Sequence, residues 1–266
     1  MHYKAKNKPQ KRKKMHPVEL ILLIVAAAVF IGSAVYLANY FWQARQVNQE
    51  VAELAQLVQK APESTAGNGD ESTPPLEMNG FKALHEKNPD IVGWITIEGT
   101  GVDYPVMQSS DNNFYLRRNF DKEYSLSGIP FLDYRNDLST TQSNLIIYGH
   151  NMKSGVMFGD LAKYQKQEFY TQHPVIAFNT LAQNNQYEIV AVFYALIAPE
   201  DPNNFAYYNF INAQTPEEFD NFLQQAMARA FYNTGITPQF GDELLTLSTC
   251  DNVTDEGRIV VVARKQ

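Results

Sequence analysis

The chain has 266 residues, a formal net charge of -7, 44% hydrophobic residues and one cysteine. This apolar content is enough for a folded domain to bury a core without metal or disulfide staples, and a single cysteine excludes an intramolecular disulfide. Seven of the basic residues crowd positions 4–14, so the remainder is strongly acidic. That charge argues against nucleic acid as a partner of the main domain.

A long apolar stretch follows the basic run. Residues 20–38 carry no charge, and about 19 such residues can cross a bilayer core of roughly 30 Å as a helix. Aromatic residues cluster at its far end: Tyr36, Tyr40, Phe41 and Trp42. Because aromatic rings favour the lipid–water interface and lysines stay on the cytoplasmic side, we expect the rest of the chain outside the cell. The sequence therefore predicts a basic cytoplasmic segment at 1–16 and a transmembrane anchor at 17–42.

A cleaved signal peptide is the alternative interpretation of this stretch. The apolar segment is longer than a typical signal core, and bulky residues follow it at the place where a cleavage site has small ones. These two features favour an anchor that is retained.

The segment after the anchor divides into two parts. Apolar side chains recur at spacings of four and three, at Val47, Val51, Leu54 and Leu57, which is typical of an amphipathic helix. Residues 61–75 are rich in Pro, Gly, Ser, Thr and acidic residues, a composition that predicts a flexible spacer. We therefore assign 43–76 to a helical stalk and spacer, and 77–266 to one folded domain.

The folded domain is predicted to be mainly β. Short β-type runs separated by Gly, Pro and Asn signals occur at residues 91–96, 144–148, 187–196, 244–249 and 258–264. Many short strands with few helices favour a closed barrel or a sandwich. Two helices are expected, one near 158–166 and a longer one at 215–230, where Thr215 can cap a first turn that holds a proline and two acidic residues.

The candidate chemistry rests on a thiol, an imidazole and a guanidinium group. One cysteine and five histidines show no close ligand spacing, so we expect no metal. Cys250 and His150 each end an apolar β run before polar residues, and imidazole is the usual partner that activates a thiol. Arg258 opens the next β run and can donate to an oxyanion. Taken singly, each has a structural alternative: an inert buried thiol, a hydrogen-bonded histidine and a surface ion pair.

These segments resemble a known family. The run Thr-Leu-Ser-Thr-Cys at 246–250, followed by Arg258-Ile-Val-Val-Val, resembles the active-site signature of the sortases, and residues 146–152 are similar to their catalytic-histidine segment. The resemblance covers essentially Phe81 to the C-terminus and includes residues 88–95, 104–108, 111–116 and 127–133. The long helix before the cysteine strand and the run Gly-His-Asn-Met favour class B over class A. Pro130 departs from the family's pattern without affecting a functional residue.

The resemblance implies a fold and a set of residue roles. The fold is a closed eight-stranded β-barrel of the sortase type with peripheral helices, including the long helix before the cysteine strand. Cys250 is implied as the nucleophile, His150 as the general acid and base, and Arg258 as the group that positions the substrate and stabilises the oxyanion. Four further residues look like substrate-groove positions: Asn112, Leu116, Ser248 and Phe205. No cofactor is implied.

The resemblance also implies a reaction and its partners. The enzyme would cleave a Pro-x-Thr sorting signal after the threonine, form a thioester, and transfer the acyl group to an amine of the peptidoglycan cross-bridge or its lipid-linked precursor. This would anchor surface proteins to the wall of a Gram-positive cell from a single-pass membrane protein with an extracellular catalytic domain. The alternatives are a pilus-assembling sortase that uses a pilin lysine, a plain cysteine protease, and a catalytically idle surface-binding barrel.

Overall fold

The computed structural model describes residues 16–59, 80–197, 204–250 and 257–266, with the backbone alone for Cys250. The predicted spacer at 61–75 and nearly all of the predicted basic segment at 1–16 lie outside these ranges. The chain divides into two compact units, Met1–Gln46 and Val47–Gln266. The predicted anchor at 17–42 falls within the first unit, and the predicted folded domain falls within the second.

Helix α1 spans Pro17–Gln59. Within the described ranges it is the one helix long and apolar enough to cross a membrane, with a mean hydropathy of 2.7 in its most apolar window. Its last part belongs to the second unit, where Val51 and Leu54 are buried. Glu50 Oε2 accepts a hydrogen bond from Asn119 Nδ2 at 3.4 Å. The helical period predicted for the stalk therefore marks a face that packs on the folded domain.

Eight strands form a closed barrel. Their bounds are β1 Ile91–Thr96, β2 Asp103–Met107, β3 Phe131–Leu132, β4 Asn144–His150, β5 Val175–Thr180, β6 Gln186–Leu196, β7 Leu244–Cys250 and β8 Gly257–Lys265. Around the barrel the order is β1-β2-β3-β4-β7-β8-β6-β5. The barrel confirms the predicted fold class, and five of its strands coincide with the five runs predicted from the sequence.

Strands β4, β7 and β8 are consecutive neighbours in the barrel, with β7 in the middle. β4 and β7 pair in parallel over their full length, and β7 pairs with β8 in antiparallel. Leu244, Leu245, Thr246 and Leu247 of β7 are completely buried. A strand that is covered on both faces is apolar at nearly every position, which explains why these runs are continuous and not alternating.

Short helices cover the barrel. They are α2 Lys82–Lys87, α3 Gln167–Gln172 and α4 Pro216–Ala228, with 3-10 helices at Phe114–Arg117, Gly159–Gln165 and Tyr207–Asn209. The helix predicted near 158–166 is thus a 3-10 helix. The longer predicted helix forms as α4, and Thr215 Oγ1 accepts a hydrogen bond from Glu218 N at 3.3 Å, as an N-cap does.

Candidate active site

Three neighbouring strands bring the predicted catalytic residues to one end of the barrel. The parallel register pairs His150 at the end of β4 with Cys250 at the end of β7. On the other side, the antiparallel pairs between β7 and β8 extend as far as Ser248 with Val260. Cys250 and Arg258 therefore lie at the same end of the barrel, each two residues beyond this pair. Adjacent strands lie about 4.8 Å apart, so the backbones of His150 and Cys250 are direct neighbours.

His150 is held in a defined orientation. Its side chain is buried, and its Nε2 lies 2.8 Å from the carbonyl oxygen of Leu116. A carbonyl only accepts hydrogen bonds, so Nε2 carries the proton, and Nδ1 is the acceptor nitrogen whenever the ring is neutral. The strand before it is equally constrained, since a Cβ on Gly149 would lie 2.7 Å from the ring of Phe158. The imidazole therefore has one fixed tautomer in its neutral form.

Arg258 lies at the start of β8 and is half-buried. Its Nη1 donates to the carbonyl oxygen of Gly257 at 2.9 Å, which constrains the guanidinium plane. A Cβ on Gly257 would lie 1.7 Å from the hydroxyl oxygen of Tyr194, so a larger residue there would displace this side chain, which is 48% exposed. The tyrosine thus packs against the backbone at the residue that precedes the candidate oxyanion donor.

A groove of about 250 Å³ opens beside these strand ends. It is lined by Asn112, Leu116, Phe131, Tyr148, Ile197, Tyr207, Tyr208, Ser248 and Arg258. The structure thus brings three of the four predicted substrate-groove residues to one groove and adds Arg258 to its wall. Aromatic rings provide much of the remaining surface, which suits a peptide with apolar side chains.

Ser248 anchors one wall of this groove. Its Oγ lies 2.7 Å from the hydroxyl oxygen of Tyr207, and both side chains are buried. This bond fastens the turn Tyr207–Asn209 to β7, two residues before Cys250. The next residue, Thr249, accepts a hydrogen bond from Ile259 N at 2.9 Å. Side-chain hydrogen bonds therefore join the strand that carries the candidate nucleophile to Tyr207 and to β8.

Phe205, the fourth predicted residue, is not among those that line the groove, although its ring centroid lies 6.4 Å from that of Tyr207, which does. The Phe205 side chain is buried in the apolar cluster beneath α4 with Phe193 and Phe222. Ring centroids lie 5.6 Å from Phe193 and 5.7 Å from Phe222, and the guanidinium carbon of Arg229 lies 5.0 Å from the Phe205 centroid. Its contacts are those of a core residue.

Groove residues that the sequence did not predict are mainly aromatic. Tyr207 and Tyr208 lie in a segment without a periodic pattern, so no local signal marks them. Phe131 and Tyr148 lie within segments that carry the family resemblance, next to predicted residues, and their place in those segments is the signal that could have identified them. Among the described residues, no group of three or more His, Cys, Asp or Glu side chains could hold a metal ion.

Comparisons with known proteins point to a single family. A family model described as the sortase domain matches residues 95–266. Sortase B of Listeria monocytogenes is 34% identical over 245 residues, covering 90% of this chain and 93% of the relative. Sortase B of Staphylococcus aureus is 34% identical over 186 residues, covering 69% of this chain and 73% of the relative.

Solved structures agree with these relatives. A crystal structure of sortase B from B. anthracis in complex with AAEK1 has a TM-score of 0.72 and 33% identity, and the match covers 85% of this chain and 98% of that one. A Staphylococcus aureus sortase B–substrate complex has a TM-score of 0.73 and 29% identity, with the same coverage.

Proposed function

The chain belongs to the class B sortases, which are cysteine transpeptidases, and from this premise we propose that it cleaves a Pro-x-Thr sorting signal after the threonine and joins the acyl part to an amine of peptidoglycan or its precursor. The observation that carries the proposal is the strand register. It pairs Cys250 with His150 at the ends of two parallel strands, and it supports a shared site with Arg258, which lines the groove at the same end of the barrel.

The first half of the proposed reaction forms a thioester. The thiolate of Cys250 attacks the carbonyl carbon after threonine, and the carbonyl oxygen becomes an oxyanion that Arg258 stabilises by hydrogen bonding. The intermediate collapses as the C–N bond breaks. His150 gives its proton to the leaving amine, because an amine that leaves without a proton is a poor leaving group.

The second half transfers the acyl group. An incoming amine attacks the thioester carbon, His150 takes up the proton of the amine, and the C–S bond breaks to restore the Cys250 thiolate. The product is a new amide and the enzyme returns to its starting state. Since a carbonyl holds Nε2 of His150, we assign both proton transfers to Nδ1.

The groove beside the strand ends is the proposed binding site for the sorting signal. Support comes from Asn112, Leu116 and Ser248, whose positions in this chain match the family's groove and which line it together. The Staphylococcus aureus relative is described as a substrate complex. The apolar part of α1 is proposed as the membrane anchor, with the basic N-terminus in the cytoplasm, which would keep the enzyme where exported substrates and lipid-linked precursors meet.

The proposal is tested by a ligation experiment with the full chain in detergent. Peptides spanning Pro-x-Thr variants are mixed with a peptidoglycan cross-bridge amine or a pilin-derived lysine peptide, and ligated products are identified by mass. We expect ligation after threonine to the cross-bridge amine and none in Cys250→Ala. The absence of ligation with every peptide would contradict the transpeptidase reaction, and preference for the pilin lysine would contradict the proposed acceptor.

A further inference from the structure

An ion pair between a buried carboxylate and a partly exposed guanidinium group lies beside the substrate groove. Asp133 follows β3 and its side chain is completely buried. Arg135 forms a bidentate ion pair with this carboxylate, with Nε 2.8 Å from Oδ1 and Nη2 2.7 Å from Oδ2. The backbone N of Arg135 also donates to Oδ1 at 2.9 Å. Because the buried carboxylate loses its hydration, part of the attraction between the two charges only offsets that cost, and the contacts of the pair point to a further role.

The pair contacts three separate parts of the groove wall. Asn112 Nδ2 donates to Asp133 Oδ2 at 3.0 Å, and the hydroxyl of Tyr148 on β4 donates to the same oxygen at 3.0 Å. Arg135 Nη2 donates to the carbonyl oxygen of Tyr208. Asn112, Tyr148 and Tyr208 all line the groove and come from three distant segments of the chain. One ion pair therefore ties together the loop before the first 3-10 helix, strand β4 and the turn Tyr207–Asn209.

The negative charge of Asp133 also fixes the direction of the hydrogen bonds that it shares with neighbouring side chains. Burial alone would raise the pKa of this carboxyl, but hydrogen bonds from Arg135 and Asn112 outweigh it and hold the pKa below its usual value. An ionised carboxylate only accepts hydrogen bonds. The Asn112 amide must therefore turn its NH₂ group toward Asp133, and its oxygen accepts from Tyr134 N at 3.0 Å. Both ends of the amide are fixed, so its plane is set before substrate arrives.

We propose that Asp133 and Arg135 are positioning residues for the substrate groove, which preset the Asn112 amide, the Tyr148 ring and the Tyr208 backbone and thereby determine how tightly the sorting-signal peptide binds. The inference rests on the proposed function, because it assigns the groove to that peptide. Neither residue is among those that line the groove, so both act through the groove residues that they contact. Their substitution should change binding of the peptide and leave the chemical steps at Cys250 nearly intact.

The test is a pair of variants of the full chain in detergent, Arg135→Lys and Asp133→Asn. Lysine keeps the charge but has one nitrogen, so it cannot bind both carboxylate oxygens and the Tyr208 carbonyl together. We expect KM for the sorting peptide to rise about tenfold in Arg135→Lys with kcat within about twofold of wild type. In a Cys250→Ala background, the Kd of a fluorescent sorting peptide should rise by a similar factor, which a purely structural role would not produce.

Glu188→Gln is the matched control. Glu188 pairs with Arg264 at the far end of β8, six residues or about 20 Å from Arg258. The Glu188→Gln variant should lower the thermal unfolding midpoint by a small amount similar to that in Arg135→Lys, and it should leave KM unchanged. Since Arg135 is 32% exposed, Arg135→Lys is the milder variant and keeps the test valid if Asp133→Asn does not fold.

The outcomes separate this inference from the proposed function. An unchanged KM and Kd in folded Arg135→Lys would overturn the inference, as would a loss confined to kcat or an equal rise of KM in Glu188→Gln. Failure of the wild-type chain to form an acyl-enzyme would instead overturn the proposed function.

Discussion

Replacing Arg258 with lysine tests the proposed oxyanion donor while keeping its positive charge. In the structure Nη1 is bonded to the Gly257 carbonyl at 2.9 Å, which constrains the guanidinium plane, and the planar fork carries further N–H groups in a fixed geometry. A lysine ammonium has a single nitrogen and cannot hold that carbonyl while donating to an oxyanion in a fixed direction. Loss of one aimed donor costs about 2.7–4 kcal/mol of transition-state stabilisation. We therefore expect kcat/KM to fall by at least about a hundredfold.

The assay is steady-state cleavage and ligation of a fluorogenic sorting peptide by the full chain, with folding checked by circular dichroism and thermal melting. The matched control is Arg264→Lys, on the same face of the same strand but paired with Glu188 at its other end. This variant should retain near wild-type kcat/KM. Near-normal activity in correctly folded Arg258→Lys, or an equal loss in Arg264→Lys, would refute the assignment of Arg258 as the oxyanion donor.

Three further predictions follow from other parts of the molecule. Gly257→Ala should lower kcat/KM with only a small change in the melting midpoint, because its Cβ would displace the half-exposed Tyr194 side chain beside Arg258, and Gly257→Ala with Tyr194→Ala should recover activity; an unchanged kcat/KM in the single variant would contradict this. The ionised form of Asp133 stabilises the fold above the unfolded pKa of about 3.9, and this stabilisation is lost as the pH falls through the lower folded pKa. In urea titrations from about pH 6 to about pH 3, the free energy of unfolding should therefore fall more steeply in wild type than in Asp133→Asn, and equal slopes would contradict this. Protease added to intact protoplasts should release a fragment that begins within residues 61–75, and protection of those residues would contradict the proposed orientation.

The strands that the sequence predicted are those with continuous apolar runs. β4, β6, β7 and β8 are buried over most of their length, so their local composition alone predicts a strand. β3 has two residues and carries no periodic signal. β2 contains Pro105, which lacks an amide proton and speaks against a strand when read locally. Tertiary pairing makes both segments strands, with Pro105 opposite Trp94 of β1.

The chemistry of the candidate site was predictable, but its walls were predictable only in part, because Asn112, Leu116 and Ser248 were predicted and the aromatic residues were not. Cys250, His150 and Arg258 could be proposed from their positions at the ends of β runs and from the family resemblance. The order β4-β7-β8 that brings them together depends on a parallel pairing of segments about 100 residues apart, which local patterns do not encode. The aromatic wall at Tyr207 depends on a bond to Ser248. Phe205, in the same segment, faces the core, and composition does not distinguish the two environments.

The central claim is that Cys250 carries the acyl group, and trapping that intermediate tests it most directly. The full chain is incubated with a Pro-x-Thr sorting peptide in the absence of an amine, quenched with acid and examined by intact-protein mass. We expect wild type to gain the mass of the peptide fragment that ends in threonine, and a peptide map to place it on Cys250. Cys250→Ala should show no adduct and no cleavage, because the chain has no second cysteine to replace it. Cleavage by Cys250→Ala, or wild type that turns over without any adduct, would contradict the account.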